Sequence, residues 1–177
     1  MIRGLVALLA IALACPTAVR AGDGVETSGD VLRAAIPLAA LGVAWHRDDD
    51  EGLEQFLWAY GTTVGATLVL KEVVDKERPD GSDDDAFPSG HAATAFVGAA
   101  VLQRRYGWRT AWPAWVLAAW TGWTRVDADE HDWGDVAGGA AVGVASAWIF
   151  VEPAKNLRIA PAVLQGGAVG VGIAGRW

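Results

Sequence analysis

Five apolar stretches of helical length, each ended by a short polar loop, most restrict what this chain can fold into. They run from Val31 to Trp45, Leu53 to Val74, Ser89 to Gln103, Ala111 to Trp123 and Asp135 to Val151. Most are rich in Ala, Leu and Val and exceed ordinary strand length, so they predict helices that bury one another. Pro37 predicts a kink or break in the first, because proline removes a helical donor and crowds the preceding turn. In the fifth, Gly138, Gly139, Gly143 and Ser146 predict the close approach of a second helix. The expected fold is all-α, a compact bundle of five to six helices within residues 22–158. The tail, residues 159–177, is Gly-rich and partly alternating, compatible with a hairpin, a strand-like tail or disorder.

The start of the chain has a different character. Arg3 precedes an apolar run from Leu5 to Cys15, and small residues follow up to Ala21. This is a secretory signal pattern with cleavage expected after Ala21. A retained first membrane helix is the alternative. A lipoprotein cut before Cys15 fits less well, because Ala12-Leu13-Ala14 is a poor match to that signal. All three place the protein in a bacterial cell envelope. Cys15 is the one cysteine, which excludes an internal disulfide and a Cys-rich zinc site.

A net charge of −7 argues against nucleic acid as a partner, since phosphate backbones call for a basic face. The acids gather at Asp48 to Glu51, Asp83 to Asp85 and Asp127 to Asp132, and read as solvated loops. None has the spacing of a calcium loop, so no metal is expected. Hydrophobic residues make up 53% of the chain, with ten tryptophans. That suits an apolar soluble bundle or a small membrane protein. Several segments fall short of the ~20 residues a span needs. Tryptophans near segment ends, and Arg104, Arg105 and Arg109 in one loop, fit a membrane protein; the acidic loop after His46 does not. The balance favours an inner-membrane protein with its site facing the periplasm, the alternative being a soluble periplasmic one.

Three polar islands interrupt the apolar pattern. In "KEVVDKERP", Lys71 and Arg78 are seven residues apart, two turns of a helix, so they would point the same way. Snorkelling or local ion pairing is the plainer reading of that island alone. In "PSGH", Ser89 can cap a helix, and Gly90 lets an anion approach amides at a helix N-terminus. His91 in that first turn is placed to protonate a phosphoester oxygen. In "TRVDADEHDWGD", Arg125 can fork two phosphate oxygens. His131 and Asp135, four apart, would share a helix face, an arrangement that sets the imidazole tautomer. With no serine nucleophile evident, His131 itself is the candidate to attack phosphorus. His46, beside Arg47 in an acidic loop, reads as a surface residue.

Taken together, Lys71-x6-Arg78-Pro79, Pro88-Ser89-Gly90-His91 and Arg125-x5-His131-x3-Asp135 resemble the type 2 phosphatidic acid phosphatase family. That family is similar in its core to class A acid phosphatases and vanadium haloperoxidases. Every motif position matches except Thr124, where the family usually has serine; threonine keeps the hydroxyl. The resemblance implies a metal-independent phosphatase of all-α fold that needs no cofactor. Lys71, Arg78 and Arg125 would hold the phosphate oxygens, with Ser89 and the Gly90 amide adding hydrogen bonds. His131 would attack to form a phosphohistidine, Asp135 would orient it, and His91 would protonate the leaving group. Only eight residues, Asp80 to Phe87, separate the first two motifs, which looks more like the lipid-phosphate branch than the soluble acid phosphatases. The expected substrate is therefore a membrane lipid carrying a phosphomonoester or pyrophosphate group, the alternative being a small phosphoester. A vanadium-dependent haloperoxidase and a catalytically dead envelope protein are weaker alternatives.

Overall fold

A computed structural model describes residues 24–154, 157–163 and 169–175. The expected signal or first membrane helix, residues 1–21, lies outside the described residues. The rest forms five helices: α1 (Gly24–His46), α2 (Asp50–Val73), α3 (Gly90–Tyr106), α4 (Trp108–Asp127) and α5 (Trp133–Phe150). Two strands follow, β1 (Leu157–Val163) and β2 (Val169–Gly175). The all-α core is as expected. The tail is a hairpin, with Leu157 opposite Gly175 and Val163 opposite Val169.

Helix α3 is the axis of the bundle, packing against all four other helices. Its sequence explains why. Ala92, Ala93, Ala95, Val97, Gly98, Ala99 and Ala100 are all buried, and a helix apolar on every side belongs inside. Small side chains let four neighbours come close at once. Gly107 ends α3 with φ of 85°, a left-handed conformation that glycine adopts without steric cost. The chain then folds straight back as α4.

Helix α1 departs from expectation twice. It begins seven residues before Val31, taking in the polar stretch "GVETSGD", and it runs through Pro37 without a break. Pro37 is buried against α3, where a Cβ on Gly98 would stand 2.9 Å from the proline nitrogen. That tertiary contact outweighs the missing donor.

A charged network closes the bundle end where α2 begins and α3 stops. The buried Arg105 guanidinium donates to both Asp49 carboxylate oxygens at 2.6 and 2.8 Å, and to the Glu152 carbonyl at 3.1 Å. Tyr106 Oη donates to Asp49 at 2.8 Å, and Asp49 caps α2 by accepting from Gly52 N at 2.9 Å. These bonds, Arg105's above all, hold the Asp49 carboxyl down at about 2. A charge buried to this degree keeps its place only when fully partnered, as here.

The outer surface carries large apolar side chains, among them Trp58 (61% exposed), Val73 (73%) and Ile149 (72%). No helix among the described residues is long and apolar enough to cross a membrane. Helices α1 and α2 have the length, 23 and 24 residues. But Glu26, Asp30 and Arg33 take up the first half of the first, and Asp50, Glu51, Glu54, Lys71 and Glu72 the two ends of the second, whose middle also holds Gln55, Thr62, Thr63 and Thr67.

Candidate active site

The three polar islands meet at the other end of the bundle. Each arrives on a helix terminus: Lys71 in the last turn of α2, Ser89 to His91 at the start of α3, Arg125 in the last turn of α4, and Asp135 in the first turn of α5. Backbone bonds fasten them to one another. Ser89 N donates to the Asp135 carbonyl at 3.0 Å, and Asp80 N to the Asp129 carbonyl at 3.0 Å. Gly139 of α5 lies so close that a Cβ there would overlap the Ser89 carbonyl oxygen.

Lys71 and Arg78 do not share a helix. Helix α2 ends at Val73, and Arg78 sits in the following loop, where its amide donates to the Asp83 carbonyl at 2.8 Å. The two cations meet through Asp85. Arg78 donates to one Asp85 carboxylate oxygen from Nε (3.0 Å) and Nη2 (2.8 Å), and Lys71 Nζ lies 3.1 Å from the other and also bonds the Asp85 carbonyl. Burial pushes the Asp85 carboxyl up, but the bonds from Arg78 and Lys71 outweigh it and hold it below the usual range.

Ser89 is fully buried and caps α3, its Oγ accepting from Ala92 N at 3.4 Å. The amides of the first turn are thereby presented at a helix N-terminus, the natural seat for an anion. A Cβ on Gly90 would meet only Thr67 Cγ2 at 3.9 Å, so no protein contact requires glycine there. Arg125 is buried, with Nη1 at 3.3 Å from Asp30 and 3.1 Å from Glu130, and Nη2 donating to the Glu26 carbonyl at 2.7 Å. Thr124 Oγ1 accepts from Arg125 Nε at 3.2 Å, which gives the hydroxyl at this position a task.

His131 lies just ahead of α5 rather than on it. Asp132 is the helix cap and forms a reciprocal capping box with Asp135. The His131 and Asp135 side chains still meet, with Nδ1 3.8 Å from Asp135 Oδ2, too long for a hydrogen bond. Asp135 is completely buried and its oxygens are committed: Oδ1 to Lys76 Nζ at 2.6 Å, Oδ2 to Asp132 N at 3.0 Å. Lys76, which the sequence reading passed over, thus neutralises the buried carboxylate. Burial, with the Arg78 and Lys71 charges, pushes the His131 imidazole down to about 4. His91 is also pushed down by burial, opposed by its bond to Asp30. His46 is exposed at the end of α1, as expected.

Known proteins bear on this arrangement. Residues 52–158 match the model of the PAP2 superfamily. The chain is 41% identical over 70 residues to the lipid A 1-phosphatase of Porphyromonas gingivalis, which spans 38% of this chain and 16% of that protein's length. It is 31% identical over 144 residues to the lipid A 4'-phosphatase of Helicobacter pylori, covering 75% of this chain and 72% of the relative. Its fold is like that of LpxE from Aquifex aeolicus, with a TM-score of 0.54 at 21% identity, covering 83% of this chain and 92% of that one. It is also like a transmembrane PAP2-type phosphatidylglycerolphosphate phosphatase from Bacillus subtilis, with a TM-score of 0.52 at 22% identity, covering 84% and 92%. All three motifs fall inside the matched segment, and the chain belongs to the PAP2 superfamily, the type 2 phosphatidic acid phosphatases that its residues resemble.

Proposed function

We propose that this phosphatase removes phosphate from a phosphorylated envelope lipid through a phosphohistidine on His131. The observation that carries the reading is the gathering of Lys71, Arg78, Arg125, His91 and His131 at one end of the bundle beside the α3 N-terminus. Phosphoryl transfer depends on position and charge stabilisation more than on covalent help. Lys71, Arg78 and Arg125 supply the charge, and Ser89 and the Gly90 amide complete the cradle.

His131 Nδ1 faces Asp135, which leaves Nε2 to attack. Its lone pair forms the N–P bond as the P–O bond to the lipid breaks, and His91 gives its proton to the departing oxygen. Water then attacks the phosphohistidine, His91 takes the water's proton, and inorganic phosphate leaves with His131 restored.

Similarity to two lipid A phosphatases supports a lipid substrate, and lipid A phosphate is the class proposed. The exposed tryptophans and aliphatics would rest against a bilayer. The periplasmic face of the inner membrane is the proposed location. The second reading is a soluble periplasmic phosphatase acting on small phosphoesters. A phosphate-release panel of lipid A, phosphatidylglycerol phosphate, phosphatidic acid and water-soluble esters separates the two. Release from lipids is expected; release from soluble esters alone would reverse the assignment.

Asp85 bears on affinity. Its carboxylate satisfies both Lys71 and Arg78, so substrate phosphate must displace it. Asp85→Asn should lower KM about three- to tenfold while kcat changes less than about twofold, since the interaction lost belongs to the unliganded state. A raised KM would mean that Asp85 holds the two cations in place instead.

A further inference from the structure

Helix α1 lies outside the segment that matches the superfamily, which starts at residue 52, yet it reaches into the site. Asp30 Oδ1 is 2.8 Å from His91 Nε2 and 3.3 Å from Arg125 Nη1. The preceding residue makes that reach possible. A Cβ on Gly29 would collide with Thr124 Oγ1 and stand 2.9 Å from Arg125 Nη2. Glycine at 29 thus lets the α1 backbone lie directly on the end of α4, and places Asp30 between a histidine of α3 and an arginine of α4.

We propose that Asp30 is a positioning residue for proton donation by His91, gripping the imidazole at Nε2 so that Nδ1 delivers the proton to the leaving oxygen. The inference rests on the reading of His91 as the acid given above. The chemistry is that of a carboxylate behind a histidine: it selects one ring orientation and stabilises the imidazolium. The proton transferred is the one on Nδ1, while the Nε2 proton stays in the bond to Asp30. The other charges near this ring work the other way. Arg33 from α1 and Arg125 from α4 both disfavour its protonation, and Glu130, from the loop after α4, is engaged by Arg125. Asp30 is the acid in direct contact with the ring.

The sign of the pH effect follows. His91 must be protonated to act, so kcat/KM falls as pH rises through its pKa. Without the Asp30 charge the imidazolium is less favoured, and that alkaline limb moves to lower pH. A leaving-group comparison isolates the step. An alkyl phosphate leaves as an alkoxide that must be protonated; a nitrophenyl phosphate leaves as a stable phenolate that need not be. Asp30→Asn should lower kcat/KM on the alkyl ester about ten- to a hundredfold and on the nitrophenyl ester by less than about threefold. Asp30→Glu should restore part of the alkyl-ester rate. Equal losses on the two esters, or an alkaline limb that stays put, would overturn the inference while leaving the phosphatase reading intact. A wild-type chain idle on both esters and on the lipid panel would remove that reading, and the inference with it.

Discussion

His131→Ala should release no phosphate above background from any substrate that the wild-type chain hydrolyses, a loss of about 10⁴-fold or more. Among the described residues, the buried His131 has an Nδ1 without a hydrogen-bond partner and lies within the field of the Lys71 and Arg78 cations. The same variant should accumulate no acid-labile phosphoenzyme when quenched, whereas wild type should. A phosphohistidine trapped in His131→Ala would sink the assignment. The pH dependence provides a second check. The nucleophile must be neutral, and burial with the Arg78 and Lys71 charges pushes its pKa down to about 4. Activity should therefore persist well below pH 6 and fail as pH drops through about 4, where the imidazole takes up a proton. An acid limb near the ordinary histidine value of about 6.5 would show that a different group attacks, or that the pocket is wetter than its burial implies.

Gly139→Ala should cost about 3 kcal/mol of stability and most of the activity. The added Cβ would overlap the Ser89 carbonyl oxygen and stand 3.0 Å from Ala93 N. Both are backbone atoms of the central helix or its cap and cannot rotate aside. Helix α5 must then back away from α3, and this separates Asp135 from the Ser89 amide that bonds its carbonyl. Gly65→Ala is the control. It lies within α2, and a Cβ there would meet nothing within 4 Å. That change should be neutral or stabilise by about 0.5–1 kcal/mol through helix propensity alone. Chemical denaturation of the two variants checks the contrast, and similar midpoints would show that α5 is not seated as tightly as described.

The helices were legible because a bundle leaves a periodic trace, and the crowding of α5 against α3 was legible in Gly139 and Gly143, whereas Gly138 meets the Phe87 ring ahead of α3 instead. The three islands could be read jointly because each keeps its own fixed spacing, and the fold brings them to one end. What escaped the sequence were partners chosen by packing. Lys76 looks like one more charge in a polar run, yet it meets Asp135 across 59 positions. Asp85 is indistinguishable from Asp83 and Asp84 until the loop folds back onto Lys71 and Arg78. Asp30 lies in a polar stretch with no apolar period, which is why α1 was expected to start at Val31. Pro37 misled in the opposite sense. Its local preference to interrupt a helix is real, but Pro37 is buried against the α3 backbone at Gly98 and the helix runs on through it.

The Arg105 network stands far from any chemistry. Along α3, Arg105 lies fourteen residues beyond His91, about 21 Å at 1.5 Å per residue. Yet Asp49 starts α2, Arg105 ends α3, and the Glu152 carbonyl follows α5, so one guanidinium indexes three of the elements that carry the site. If α3 slid past α2 by a single turn, His91 would move about 5.4 Å relative to Lys71, further than any hydrogen bond stretches. The remote network therefore acts as a spacer gauge: it sets the axial alignment at which the phosphate cradle closes, and it can do so without touching a substrate.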